Sequence, residues 1–218
     1  MKLRGICFDM DGILTNTEEI GSRMLITAAE AQGFTVTPAE WHQMIGASWP
    51  DTCNILRTIA GPSFDENRFL DDWKRLTLDW MRANGVPLMP YCRETLQTLK
   101  DAGMRIALCT SNAQDVVSAY LSLAGLTAYF DAVITAEDVR FSKPAPDIYL
   151  KGCAALGLLP AECAGVEDSY NGITSVRRSG MTSIMIPDQL PYKHSKRYQV
   201  DAVLSSLKEL PDYLAQHL

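Results

Sequence analysis

Apolar and polar positions follow two different rhythms along this chain, and the change between them divides it. Near the start, Leu3, Ile6, Cys7 and Phe8 form a short apolar run that reads as a buried strand over 3–8, of the kind found in parallel sheets. From 17 to 86 the rhythm is helical. Ile20, Met24, Leu25, Ala28 and Ala29 lie on one face, and Gly33 ends that helix. Thr37-Pro38-Ala39-Glu40 has the form of a capping box with proline at the first helical position, and Gly46 closes the helix it begins. Ser48-Trp49-Pro50-Asp51 opens a third helix that stops at Gly61, and a fourth runs over about 66–83 to Asn84-Gly85.

From residue 90 the pattern alternates between strand and helix. A helix over 91–102 carries Leu96 and Leu99 and stops at Gly103; a strand follows over Arg105–Cys109, then a helix to Ala124. Strands are expected at Ala132–Ile134, Ala164–Val166, Thr182–Ile186 and near Ala202–Leu204, with helices between them over 147–156 and up to Gly180, and one at the C-terminus. Such alternation builds βαβ units and a parallel sheet. The strand at 3–8 belongs with this set. The expected fold is therefore α/β: a doubly wound, Rossmann-like parallel sheet over 1–15 and 87–218, interrupted by an all-helical domain over 16–86. The hinges are Leu14–Thr17 and Gly85-Val86-Pro87.

Composition narrows the classes. With 218 residues, 47% hydrophobic and 21% charged, the chain can bury a full core as an ordinary globular protein. A net charge of -6 and a pI near 5.1 argue against binding a phosphate backbone, so no nucleic-acid partner is expected. No apolar run is long enough to cross a membrane, and no signal-peptide pattern precedes the first strand. The six cysteines show no Cys-x-x-Cys spacing, and two fall inside expected strands. They read as reduced core thiols of a cytoplasmic protein.

The polar residues that stand out follow the strands. Asp9 and Asp11 come directly after the first, and Gly12 lets the backbone turn away. Residues i and i+2 at a strand end point to one side, so both carboxylates would face the crevice where open α/β sheets bind ligands. Their repulsion calls for a cation, a shared proton, or a chemistry that uses both. A calcium-binding EF-hand loop is excluded, because its sixth and twelfth positions would hold Leu14 and Ile20. Thr110-Ser111-Asn112 follows the second strand, Lys143-Pro144 lies in the loop after the third, and Glu167-Asp168-Ser169 follows the fourth. Each has an ordinary explanation as a helix cap or loop charge. Four in this order converge on one edge of the sheet. Asp9, Glu167 and Asp168 with a carbonyl suit a hard ion, Mg²⁺ above all, and the lysine and hydroxyls suit phosphoryl oxygens. A carboxylate can attack phosphorus to form an aspartyl phosphate, with the second aspartate as proton donor and later base.

Phe8-Asp9-Met10-Asp11-Gly12, Thr110, Lys143-Pro144 and Gly165-Val166-Glu167-Asp168-Ser169 resemble, in order and across the whole chain, the four motifs of the haloacid dehalogenase superfamily. The likeness is to the branch that contains β-phosphoglucomutase and small sugar-phosphate phosphatases. The resemblance implies Asp9 as nucleophile and Asp11 as general acid/base, with the metal held by Asp9, the Asp11 carbonyl, Asp168 and Glu167. Thr110 and Lys143 would bind the phosphoryl group, with Met10, Ser111 and Asn112 contributing, and the Lys143–Pro144 bond would be cis, as is common in the relatives. The helical insert would be the family's cap, and Gly46, Ala47 and Trp49 its substrate-selecting residues. Two positions depart from the mutases: Trp49 stands where they carry a phosphate-binding arginine, and Gly21 where they carry a histidine. A monomeric Mg²⁺-dependent phosphatase acting on a small phosphorylated metabolite is the leading expectation. A β-phosphoglucomutase-type phosphotransferase is the alternative. A receiver-type signalling domain ranks lower, because its acceptor Asp follows the third strand and it has no such insert.

Overall fold

A computed structural model of the protein describes residues 2–44, 49–188, 192–193 and 200–216. Among these residues six strands form one parallel sheet: β1 (Gly5–Phe8), β2 (Arg105–Cys109), β3 (Ala132–Ile134), β4 (Cys163–Glu167), β5 (Thr182–Met185) and β6 (Ala202–Val203). Their order is β3-β2-β1-β4-β5-β6, the doubly wound arrangement, with its switch point between β1 and β4. The expected α/β class is the observed one. Strands β1, β2 and β4 are buried almost throughout, which is why they read as short continuous apolar runs.

The chain divides into two compact units, Met1–Asn16 with Val86–Leu218, and Thr17–Gly85. In the first, α7 (Asp147–Ala155) packs on β1, β2 and β3, and α8 (Tyr170–Ser179) on β4 and β5. Helix α5 (Cys92–Asp101) packs with α9 (Leu210–Ala215), and Thr95 Oγ1 donates to the Leu207 carbonyl at 3.0 Å. Among the described residues this unit also holds the α-helix α6 (Gln114–Ala124). The close seat of α7 depends on Gly152. A Cβ there would lie 2.6 Å from Cys109 Sγ and 3.1 Å from Cys7 Sγ. All six cysteines are buried and free.

The second unit holds α1 (Glu18–Ala31), α2 (Pro38–Met44), α3 (Trp49–Ala60) and α4 (Glu66–Asn84), with no strand among its described residues. The capping box forms: the Thr37 amide donates to Glu40 Oε2 at 2.7 Å, and the Glu40 amide to Thr37 Oγ1 at 3.3 Å. Leu25, Ala28, Ala29, Val36, Leu56 and Phe69 make its core, and the Phe34 and Phe69 rings stack at 6.0 Å. The stop expected at Gly46 lies outside the described residues.

Candidate active site

The site is assembled at the carboxyl ends of β2, β1 and β4, which flank the switch point. Asp9 directly follows β1, and its amide donates to the Val166 carbonyl of β4 at 3.0 Å. The turn after it is fixed locally. Leu14 and Thr15 amides both donate to the Met10 carbonyl, at 2.8 and 3.0 Å, and Met10 itself is fully buried. Gly12 adopts φ +75°, and a Cβ on it would lie 2.5 Å from Asp168 Oδ2. Glycine at this position therefore serves both the turn and the close approach of the two acidic motifs.

Lys143 links the strands. Its Nζ donates to Asp9 Oδ1 at 2.7 Å, to Glu167 Oε1 at 2.7 Å and to the Cys109 carbonyl at 3.0 Å. These three acceptors use the three donors of an ammonium. The Lys143–Pro144 peptide is cis. The loop that carries the lysine is tied to α8, where Ser175 Oγ donates to the Ala145 carbonyl at 2.5 Å and Arg178 to the Pro144 carbonyl at 2.9 Å.

The fourth motif lies partly within its strand. Glu167 is the last residue of β4, not the first after it, and is fully buried. Tyr149 of α7 donates its hydroxyl to Glu167 Oε1 at 2.7 Å, and Ser169 Oγ donates to Oε2 at 3.1 Å. Ser169 is also the N-cap of α8, accepting from the Gly172 amide at 3.0 Å. Asp9, Glu167 and Asp168 each bring a carboxylate oxygen into one group whose members lie within 4.8 Å of one another.

Thr110 is buried directly after β2, and its Oγ1 accepts from the Asn112 amide at 3.2 Å. Asn112 Nδ2 donates to Asp11 Oδ2 at 2.5 Å, joining the second motif to the first. Ser111 is exposed. Trp49 belongs to the helical unit, where its ring stacks on Trp73 at 5.7 Å and 20°. Gly46 and Ala47 lie outside the described residues.

The electrostatics are unbalanced. Burial, then the Glu167 charge, push the Asp9 carboxyl up to about 7 against the opposing pull of Lys143. Burial would lower the Lys143 ammonium, but Asp9 and Glu167 outweigh it and hold it above its ordinary value. Three carboxylates against one ammonium leave excess negative charge with oxygen donors only, which fits Mg²⁺.

A doubly wound sheet with an Asp-x-Asp turn, a buried lysine and a second acidic pair at its switch point defines a class of acid-centred hydrolases. The family described as haloacid dehalogenase-like hydrolase matches residues 6–186, and the chain belongs to it. It is 31% identical to hexitol phosphatase A of Escherichia coli (strain K12) over 96% of this chain and 94% of that protein. It is also 30% identical to the putative phosphatase YhcW of Bacillus subtilis (strain 168), over 86% and 85%. Among solved structures, CbbY from Rhodobacter sphaeroides in complex with phosphate superposes with a TM-score of 0.82, at 24% identity over 95% of this chain and 96% of that one. A putative β-phosphoglucomutase from Thermotoga maritima gives 0.81, at 23% identity over 99% and 100%. These two likenesses carry the fold.

Tyr149, Gly172 and Ser175 were not legible as site residues. An aromatic on an apolar helix face, a glycine inside a helix and a small hydroxyl next to valine carry no local mark. Their roles come from contacts between elements far apart in sequence.

Proposed function

We propose that this protein hydrolyses a small phosphomonoester, a sugar or hexitol phosphate, through an aspartyl phosphate on Asp9. The observation that carries this is the buried Lys143 bridging Asp9 and Glu167 at 2.7 Å each, beside the Asp9–Glu167–Asp168 oxygen cluster. In the first step a carboxylate oxygen of Asp9 bonds to phosphorus as the ester P–O bond breaks, and Asp11 gives its proton to the leaving oxygen. In the second, Asp11 takes a proton from water as that water bonds to phosphorus, releasing the Asp9 carboxylate. Asn112 holds Asp11 in place for both transfers. Lys143 and Thr110 bind the phosphoryl oxygens, with Met10 and Ser111 alongside. Asp9, Asp168 and the Asp11 carbonyl would hold Mg²⁺, and Glu167, whose oxygens already accept protein donors, would act through charge and water. When bound, the ion neutralises phosphoryl charge and lets Asp9 ionise near neutral pH.

Hydrolysis is preferred to mutation on two positions of the helical unit, Trp49 and Gly21. The second phosphate of a bisphosphate needs a charged anchor such as a bidentate arginine. The two positions that distinguish mutases are instead joined by Trp73, which stacks on Trp49 at 5.7 Å and donates its indole N–H to the Gly21 carbonyl at 2.8 Å. Helices 17–85 act as the cap that selects the substrate, with Gly46, Ala47 and Trp49 as its contacts.

Purified protein screened against about a hundred phosphorylated metabolites should release phosphate from sugar or hexitol phosphates, and exhaustive chelation should abolish it. Asp9→Asn should lower turnover at least a thousandfold, because an amide does not attack phosphorus. Full activity after chelation would remove the metal from the reaction, and a tenth of wild-type turnover in Asp9→Asn would remove the nucleophile. Conversion of β-glucose 1-phosphate to glucose 6-phosphate with little inorganic phosphate, followed by phosphorus NMR, would make it a mutase.

A further inference from the structure

Glu167 and Lys143 do not form an isolated pair. Tyr149 lies beneath both, fully buried in the first turn of α7. Its hydroxyl donates to Glu167 Oε1 at 2.7 Å, the same oxygen that accepts from Lys143 Nζ at 2.7 Å. Its ring faces the ammonium, with Nζ 5.2 Å from the centroid. On the other oxygen, the Ser169 hydroxyl and amide donate at 3.1 and 3.4 Å. A carboxylate offers about four acceptor directions, so these four donors fix the orientation of Glu167.

We infer that Tyr149 is a positioning residue for phosphoryl transfer, holding Glu167 so that it shares Lys143 with Asp9. This rests on the proposed phosphatase reaction. All three N–H donors of Lys143 are engaged, on Asp9, Glu167 and the Cys109 carbonyl. To bind a phosphoryl oxygen the ammonium must release one of them. Glu167 Oε1 yields most readily while a second donor occupies it, because a shared acceptor binds each donor less tightly. The phenol supplies that donor, and the ring face keeps Nζ over the site as the bond is exchanged. Without the hydroxyl, Glu167 would draw Lys143 toward itself and away from Asp9. Tyr149 touches neither substrate nor metal in this assignment, and acts on Lys143 through Glu167 and its own ring face.

Tyr149→Phe keeps the ring and removes only the hydroxyl. With the substrate that wild type turns over, kcat should fall about tenfold while KM changes less than twofold, the scale of one charge-assisted hydrogen bond. In a Lys143→Met background the same change should alter kcat by less than twofold, because a residue acting through Lys143 has nothing left to position. A readout independent of turnover is the ¹⁵Nζ resonance of Lys143, assigned by its loss in Lys143→Met. In Tyr149→Phe it should shift and exchange faster with solvent. Wild-type kcat together with an unmoved resonance would overturn the proposal. So would an equal loss in both backgrounds, or a Tyr149→Phe protein that does not fold, either of which would make the hydroxyl purely structural. Absence of phosphatase activity in wild type with the resonance shifted as described would instead overturn the reaction and leave the positioning role standing.

Discussion

At Asp9 the proposed catalysis and stability oppose each other. A nucleophilic carboxylate must be ionised, yet burial and the neighbouring Glu167 push its carboxyl to about 7 in the protein without metal, from an ordinary value of 3.8. Because the folded-state pKa exceeds the unfolded one, the folded protein binds more protons between those values, and its stability falls as pH rises through that window. Asp9→Asn cannot ionise and has no such slope. Thermal melts in chelator across pH 4 to 8 should therefore show the variant near wild type at pH 4 and increasingly more stable toward pH 7, by on the order of 2–4 kcal/mol. Added Mg²⁺ should narrow the gap by stabilising wild type. A gap that is constant, or widest at pH 4, would show that Asp9 is ionised without penalty. The same position also marks how far a residue can be read from sequence alone. Asp9, Asp11, Thr110, Lys143, Glu167 and Asp168 are chemically unusual at strand ends or in the loops that follow them, so they stood out. Tyr149 and Ser175 are ordinary residues in ordinary helices, and only the packing of α7 and α8 gives them partners.

The elements were legible because the apolar rhythm and the glycine stops report local structure. Strand β4 is one residue longer at each end than its apolar run implied, since pairing with β1 extends it back to Cys163 and pairing with β5 carries it on to Glu167. That extra residue places the carboxylate inside the sheet, where the start of α8 closes over it. Gly172 is what allows the approach. A Cβ there would lie 1.9 to 2.0 Å from the Glu167 carboxylate, so Gly172→Ala must displace either the helix or the glutamate. In a helix interior the swap would ordinarily stabilise by up to about 1 kcal/mol. Here overpacking should reverse the sign and cost on the order of 1–3 kcal/mol. Turnover should fall with it, at least a hundredfold, as Lys143 loses its fixed partner. Chemical denaturation and steady-state kinetics on one preparation would check both, and wild-type turnover in Gly172→Ala would show that Glu167 need not hold its place.

At the scale of the whole molecule, the insertion leaves and returns through adjacent segments. The Asn16 amide donates to the Pro87 carbonyl at 2.8 Å and the Met89 amide to the Leu14 carbonyl at 3.0 Å, with Thr15 and Leu88 bridged antiparallel. The compact units divide at this point, Thr17–Gly85 on one side and the remaining chain on the other. Each has a separate core: Leu25, Leu56 and Phe69 in the helical unit, and Cys7, Ile148 and Val176 on the sheet. Because the ends already pair, replacing 17–85 by a two-residue Asn-Gly turn asks for little additional loop closure. The shortened protein should unfold cooperatively and lose helical circular dichroism in proportion to the residues removed. All four motifs lie outside the excised segment, so it should still hydrolyse p-nitrophenyl phosphate, within about tenfold of the full chain, the aryl ester needing little from a cap. Turnover of the sugar or hexitol phosphate proposed as substrate should fall at least about a hundredfold, because substrate selection is the role proposed for the helices. Non-cooperative unfolding of the shortened chain would show that the sheet does not fold without its insertion. Equal losses on both substrates would show that the helices serve the chemistry itself and not the choice of substrate.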